Sequence, residues 1–393
     1  MNQEGSDLVG KYLADLQESL SEKKSYMEAV EHLTKEFDRL REGLLSAMNS
    51  RAISEGKPLL FPKGCEVVTG ANGTEVEYVA LLLAKHLAGP EDKIRNVFSK
   101  EMGSATPLAC EGKFGNTKNW RGEVVVRGQA IKGLENITPI EIDVRTADRA
   151  RSVEEIEADF EGQFSTAREL GEVLVIHIVP ATKTGERVGD AQMVARLCEK
   201  YPQVRVVKIA DCAQGRTDEE EMSGLVRDGF FVNLTASKFF EAPSFCAATM
   251  MNRENADRLS EAISSLIGSG HFPDELAFYY SLADFPSEMR KGLAGHLPEL
   301  PNLPLLARWQ VGEKNMKEYF SIPKKIRGEI LRSLGSLVST RLGGLRASTQ
   351  KPWEAAQTAV QLSEVSFMIP GIETEAQARL FRKQLADRGY WIP

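Results

Sequence analysis

Residues 206–216, VVKIADCAQGR, run from an apolar strand into an aspartate, and the setting of that aspartate decides how the chain reads. A carboxylate at the end of a buried strand is costly unless a cation or strong donors meet it. In isolation Asp211 fits a strand end exposed to water or capping a turn. The flanking pattern says more. Upstream, VLVIHIV (173–179) is apolar nearly throughout, as strands buried on both faces are. Downstream, FFVNLTAS (230–237) reads as another strand. DAQMVARLCEKY (190–201) has helical spacing, and SVEEIEADFEGQFSTAREL (152–170) opens with Ser152 and Glu155 in a capping-box arrangement. Alternating strands and helices predict an α/β fold with a mostly parallel sheet covered by helices.

The same alternation extends toward the N-terminus. EVVTG (66–70) is a short strand, and TEVEYVALLLAKHLAG (74–89) is a helix stopped at Gly89-Pro90. KIRNVFS (93–99) and GEVVVRG (122–128) read as strands. Before them, residues 6–50 carry apolar positions at helical spacing and form one or two amphipathic helices. After residue 253 the chain becomes helix-rich and then reads strand, helix, strand through SEVSFMIPG, TEAQARLFRKQLADRG and YWIP. The expected division is an N-terminal helical arm (1–58), a large α/β domain (59–252) and a small C-terminal α+β domain (253–393).

Composition narrows the class. Of 393 residues, 42% are hydrophobic and 27% charged, as in ordinary globular proteins. A net charge of −7 argues against a general nucleic-acid binder. Five scattered cysteines without a C-x-x-C pair fit reduced thiols better than disulfides or zinc, and the five histidines form no ligand pattern. Neither a signal-peptide pattern nor an apolar run long enough to span a bilayer is read, so a cytoplasmic location without membrane contact is expected.

Three features fall at strand ends, where ligands of open α/β sheets bind. TGANGTEVEYVA (69–80) takes a strand through Gly70, Asn72 and Gly73 into a helix expected to start near Thr74. Such a turn can cradle an anion with backbone N–H groups and the Thr74 hydroxyl. Asp211 is the second feature. The third is TASKFFEAPSFC (235–246), in which Lys238 stands among small residues and two phenylalanines. A lysine held in apolar surroundings becomes a usable nucleophile toward carbonyls; read alone, it is an ordinary lysine reaching solvent. A phosphate cradle, a buried carboxylate and an activated lysine are together what pyridoxal 5'-phosphate (PLP) requires.

These residues resemble the fold-type I PLP-dependent enzymes, in particular the class V aminotransferase and cysteine desulfurase branch, over roughly residues 60–250. Gly73-Thr74-Glu75 is similar to that branch's G-T-E phosphate motif. Asp211-Cys212-Ala213-Gln214 is similar to its D-x-A-Q. Thr235-Ala236-Ser237-Lys238 with Ala242-Pro243 resembles S-x-H-K followed by G-P. The resemblance implies a Schiff base at Lys238, Asp211 on the pyridine nitrogen, Gln214 on the phenolic oxygen and Thr235 on the phosphate. Ser237 stands where the family often has histidine. In SKEMGSATPL (99–108), Met102, with Gly103 and Ser104, takes the place of the ring-stacking residue, which is a departure. The basic insertion KFGNTKNWRGEVVVRGQAIKG (113–133) is a second departure, read as a solvated hairpin or a flap. The desulfurase activity is disfavoured, because no cysteine follows Cys246.

A substrate carboxylate calls for arginine, and Arg341 and Arg346 of STRLGGLRAS are the expected ligands, with Arg308 of LLARWQ as a further candidate. The function so implied is a PLP-dependent transferase acting on an amino acid or amine-bearing metabolite, with aminotransferase as the leading activity. Lyase, β/γ-replacement or C–C bond-forming activity is the alternative, and a nucleotide- or sugar-phosphate-binding protein is the alternative from another class. A homodimer with shared active sites is the expected assembly.

Overall fold

The structure is a computed structural model that describes residues 3–23, 25–90, 92–99, 101–103, 105–146, 150–182, 187–343, 348–349 and 367–368. The strands are β1 (Glu66–Gly70), β2 (Ile94–Ser99), β3 (Ile137–Ile142), β4 (Val173–Ile178), β5 (Val206–Cys212), β6 (Phe230–Thr235), β7 (Ala247–Met251), β8 (Ser348–Thr349) and β9 (Phe367–Met368). The α-helices are α1 (Gln3–Ser21), α2 (Tyr26–Met48), α3 (Ser50–Ser54), α4 (Glu77–Ala88), α5 (Thr106–Cys110), α6 (Val153–Leu170), α7 (Ala191–Lys200), α8 (Glu219–Arg227), α9 (Arg253–Gly268), α10 (Ser287–Leu293), α11 (Leu303–Ser321) and α12 (Lys324–Gly343).

Seven strands form one sheet in the order β1-β7-β6-β5-β4-β2-β3. Six run in the same direction, and β7 alone is reversed, antiparallel to both β6 and β1. The fold class is therefore the expected α/β sheet covered by helices. The pleat sends alternate residues to opposite faces. Val173, Val175, Val207, Ile209 and Phe231 face the apolar core that includes Tyr78 and Leu81 of α4 and Leu259 of α9. Leu174, Ile176, Ala210 and Val232 face the opposite core, with Phe37 of α2, Phe160 of α6 and Trp309 of α11. Double-sided burial explains the near-continuous apolar spelling of β4.

Local signals set most boundaries. Ser152 and Glu155 form the capping box of α6, and Asp190, Asp218 and Asn252 cap α7, α8 and α9 through their side chains. Two readings change. GEVVVRG is not a strand; Val124 and Val126 are exposed, and the insertion is held by two isolated antiparallel bridges, Lys113–Ala130 and Lys118–Val124. Helix α4 begins at Glu77, with residues 73–76 forming a preceding turn rather than its first helical turn at Thr74. The strand β7 was hidden in a small-residue stretch, AATMM, which carries no alternation to reveal it.

The chain divides into compact units Met1–Pro323 and Lys324–Pro393. The boundaries expected near residues 58 and 252 thus both fall inside the first unit, where α2 packs on α11 and α9 packs on α4. In the second unit, α12 precedes a two-stranded antiparallel pairing of β8 with β9. TEAQARLFRKQLADRG and YWIP lie outside the described residues.

The contact of α11 with the segment after β6 positions the lysine turn. A Cβ on Gly312 would come within 2.6 Å of Ala236 Cβ, and Asn315 Nδ2 donates to Phe240 O at 2.7 Å. Phe240 is buried against Tyr319 and Phe320 at ring distances of 5.8 and 5.5 Å. Gly312→Ala should overpack this contact and cost about 1–3 kcal/mol. The check is a lower urea midpoint at unchanged slope.

Candidate active site

A cavity of about 220 Å³ opens at the carboxyl ends of β4, β5 and β6, lined by residues of the 72–74 turn, the 101–106 segment and the strand ends. Gly73, Thr74, Met102, Asp211, Gln214, Thr235, Ser237 and Lys238 all line it. Residues separated by up to 165 positions in sequence thus meet at one site. Val179, Ala181 and Thr182, which sequence reading did not single out, complete its wall.

The remaining expected residues fall elsewhere. Ser104 and Arg346 lie outside the described residues, and of Arg341 only its place near the end of α12 is described. Glu75 is absent from the cavity wall and instead knits the turn together. Its carboxyl accepts from Ala71 N–H (3.0 Å), Asn72 Nδ2 (3.0 Å) and Asn116 Nδ2 (3.2 Å). Its carbonyl accepts from the Tyr280 hydroxyl at 2.5 Å.

The anion cradle is already organised by a side chain. Asn72 Oδ1 accepts from the N–H groups of Thr74 and Glu75, each at 3.0 Å, so an amide oxygen takes two donors that an anion would use. Thr235 donates its hydroxyl to Ala213 O at 2.6 Å, which commits its proton. Thr74 and Ser237, which also carry hydroxyls, line the cavity as well. Gly73 has little room for a side chain, since a Cβ there would lie 3.2 Å from Thr235 Cγ2.

Asp211 is buried at the end of β5, and Ala213 N–H donates to its Oδ1 at 2.8 Å. Lys238 lies three residues beyond β6 and is exposed, contrary to the enclosure its sequence neighbours suggested. The phenylalanines that follow turn away: Phe240 is buried against Tyr319 and Phe320, and Phe239 packs edge-on to Tyr319 at 4.9 Å. The turn is pinned by Glu241 N–H to Lys238 O (3.2 Å) and Ala242 N–H to Ala236 O (3.1 Å). Glu241 pays for it with a φ of 52°, in the left-handed region.

Below the cavity the sheet carries polar residues that, Asp211 apart, the sequence did not announce. Asn96, His177, Asp211, Asn233 and Thr249 occupy the pleat positions that face α4, which contributes Glu77. His177 and Glu77 are fully buried. Asn233 accepts from the Thr249 hydroxyl. In a run such as VLVIHIV, a lone histidine was the only available signal.

A second cavity of about 350 Å³ shares Asn72 with the first. Its wall includes Lys118, Trp120, Tyr279 and Arg308. Arg308 is half-buried, with its guanidinium 5.8 Å from the Phe245 ring centre. Neither Arg308 nor Lys118 meets a carboxylate among the described residues.

No protein-family model matches the chain, and no curated protein does. Solved structures do resemble it. A serine palmitoyltransferase from S. paucimobilis with a bound PLP–myriocin aldimine is 12% identical over 97% of this chain and 75% of that one, with a TM-score of 0.49. Ureidoglycine-glyoxylate aminotransferase from Bacillus subtilis is 11% identical over 91% and 74%, at 0.48. An apo cysteine desulfurase from Thermococcus onnurineus NA1 is 11% identical over 88% and 73%, at 0.46. For another PLP-bound palmitoyltransferase structure the match spans 66% of that chain's length, at 0.48. At these scores they are likenesses only, and the chemistry rests on the site.

Burial outweighs the three donors to Glu75 and lifts its carboxyl from the usual 4.5 to about 8. The folded chain then holds a proton that the unfolded chain has lost above pH 4.5. Stability from this group is full at low pH, falls as pH rises from about 4.5 to 8, and changes no further above that window. Glu75→Gln should flatten this part of the slope, on the order of a few kcal/mol across the window. Urea midpoints at pH 5, 6.5 and 8 read it directly.

Proposed function

We propose that the cavity binds PLP and acts on the amine of an amino acid or amine-bearing metabolite, with transamination as the leading activity. One observation carries the reading: Lys238, Asp211 and the Gly73–Thr74 turn line the same cavity. The donor set suits the group. Hydroxyls of Thr74 and Ser237 face a phosphate position beside the turn, Asp211 supplies a buried anion for a protonated ring nitrogen, and Met102 supplies a polarisable apolar surface for a ring. When bound, PLP supplies an electron sink for charge that develops at the carbon bearing the amine.

The protein's own share is positioning and proton movement. Asn72 turns its oxygen out of the cradle to release the Thr74 and Glu75 N–H groups for the phosphate. Asp211 would accept from a protonated ring nitrogen and keep it protonated, and Gln214 would be the residue for the phenolic oxygen. Lys238 would offer its amine at the cavity wall, where it can lose a proton, condense with a carbonyl carbon with release of water, and later carry a proton to or from the substrate. A nucleotide or sugar phosphate would give Lys238 and Asp211 no shared task. A specialised lyase or replacement activity would use the same residues and differ after the first proton transfer.

For the substrate's carboxylate, Arg308 and Lys118 are the cations without a carboxylate partner in the adjoining cavity. Arg308 sits on the α11 surface that also carries Gly312 against Ala236, so the helix that braces the lysine turn would also carry the anion contact.

Purified protein given PLP should acquire a visible absorption band that borohydride fixes on Lys238, and Lys238→Ala should lack it. A protein that stays colourless and takes up no PLP overturns the reading. With a substrate in hand, Arg308→Gln should raise KM about 10- to 100-fold with a smaller change in kcat, the loss of one charge-assisted contact.

A further inference from the structure

Beneath the cavity, the direction of each hydrogen bond can be followed to a single conclusion about one proton. Asn96 Nδ2 donates to Cys110 O at 2.8 Å, which turns Asn96 Oδ1 toward His177 Nε2 at 2.9 Å. An amide oxygen only accepts, so Nε2 carries hydrogen. A neutral imidazole then has its lone pair on Nδ1, and Nδ1 lies 3.5 Å from Glu77 Oε2. An ionised Glu77 would set a carboxylate against that lone pair. A proton on Glu77 instead makes the pair donor and acceptor.

The surroundings favour the neutral arrangement. Burial foremost, and then the charge of Asp211 from β5, drive the Glu77 carboxyl well above its usual range. Burial alone lowers His177 to about 3, so an imidazolium is disfavoured. Cys110 from α5 brings a neutral thiol, its Sγ 3.8 Å from Nε2, and burial keeps it protonated. Phe98 from β2 presents its ring at 6.3 Å, and Tyr280 has its hydroxyl on Glu75 O. Asn233 from β6 lies near Glu77, yet neither carboxyl oxygen, nor Nδ1 of His177, has a partner in hydrogen-bond geometry, so two buried groups face each other at 3.5 Å with their hydrogen-bonding capacity unmet.

Glu77, Cys110 and His177 bring ligand atoms within 4.8 Å of one another. A metal ion is the poorer account. Nε2, beside the thiol, is committed to Asn96, and Glu77 faces the other ring nitrogen, so a metal on either nitrogen would have to give up one of these contacts.

We propose that Glu77 and His177 share a single proton as a neutral pair, and that this positioning pair allows Asp211 to stay ionised beside the cavity. The pair is inferred from the tautomer that Asn96 sets and from the 3.5 Å approach of Glu77 to Nδ1; its service to a ring nitrogen at Asp211 rests on the PLP reading. An anionic Glu77 would push the proton of any bound ring onto Asp211, or push Asp211 itself to protonate.

The test uses the full chain without added cofactor. With five histidines in the chain, ¹⁵N-histidine NMR assigned by a His177→Gln variant can follow this ring between pH 5 and 9. The expected result is a neutral ring with hydrogen on Nε2 and a hydrogen-bonded Nδ1 throughout, retained in Glu77→Gln, whose amide can also donate. ¹³C-aspartate labelling, assigned by Asp211→Asn, should show Asp211 ionised over the same range. An imidazolium at pH 7, hydrogen on Nδ1, or a protonated Asp211 would each overturn the proposal. A second arm adds PLP and follows the visible band with pH; Glu77→Gln should leave its midpoint in place, and a displaced midpoint would also overturn the proposal. Failure to take up PLP would count against the functional reading, while the NMR arm would still decide the pair.

Discussion

Three carboxyl groups, Glu75, Glu77 and Asp211, are buried around one strand-end cavity, and the cost of burying them organises the rest of the site. Buried charge must be paired, hydrogen-bonded or neutralised. The structure uses different answers within a short distance. Glu75 collects three N–H donors and still keeps a proton until about pH 8. Glu77 faces a histidine nitrogen in place of any cation. Asp211, at the edge of the cavity, accepts from a backbone N–H and faces the space where a ligand would sit.

That division of labour ties the phosphate-type turn to the sheet. Glu75 bonds to the backbone of residue 71 and to the side chains of Asn72 and Asn116, so the turn and the basic insertion are held by one group. Farther down, Asp284 accepts from Thr69 of β1 at 2.8 Å and from Ser281 N–H at 2.7 Å. Arg41 of α2 donates to Ala283 O at 2.6 Å. The strand that leads into the turn is therefore anchored from both the N-terminal helices and the segment before α10. The opposite wall is fixed by α11, which leaves room at Gly312 for the turn carrying Lys238. Rigid elements thus set the positions of both the cradle and the amine.

The apolar neighbours of Lys238 illustrate how adjacency in sequence can mislead. Phe239 and Phe240 follow the lysine directly, yet their rings belong to a cluster with Tyr319 and Phe320, while Lys238 is exposed in the cavity wall. The phenylalanines anchor the turn, and the lysine is what that anchoring displays. GEVVVRG misled in the opposite way. Its valines suggest a strand, but two of them are exposed on a loop that has only isolated bridges.

Much of the fold and part of the site were legible in the sequence because they depend on local chemistry. Apolar runs spell strands buried on both faces, caps mark helix starts, and Gly73-Thr74, Asp211, Gln214 and Lys238 each stand next to a recognisable strand end. Apart from Asp211, the polar layer was not legible. Asn96, His177, Asp211, Asn233 and Thr249 come from five strands whose order in the sheet is not their order in the chain. Only strand pairing and the shared phase of the pleat bring them under Glu77, and Arg308 likewise reaches its cavity only through the packing of α11. The sequence by itself determined which elements form and which groups end the strands, since those follow from neighbours a few residues apart. Tertiary structure alone decided which buried acids keep a proton, because that depends on solvent excluded and partners supplied by distant segments.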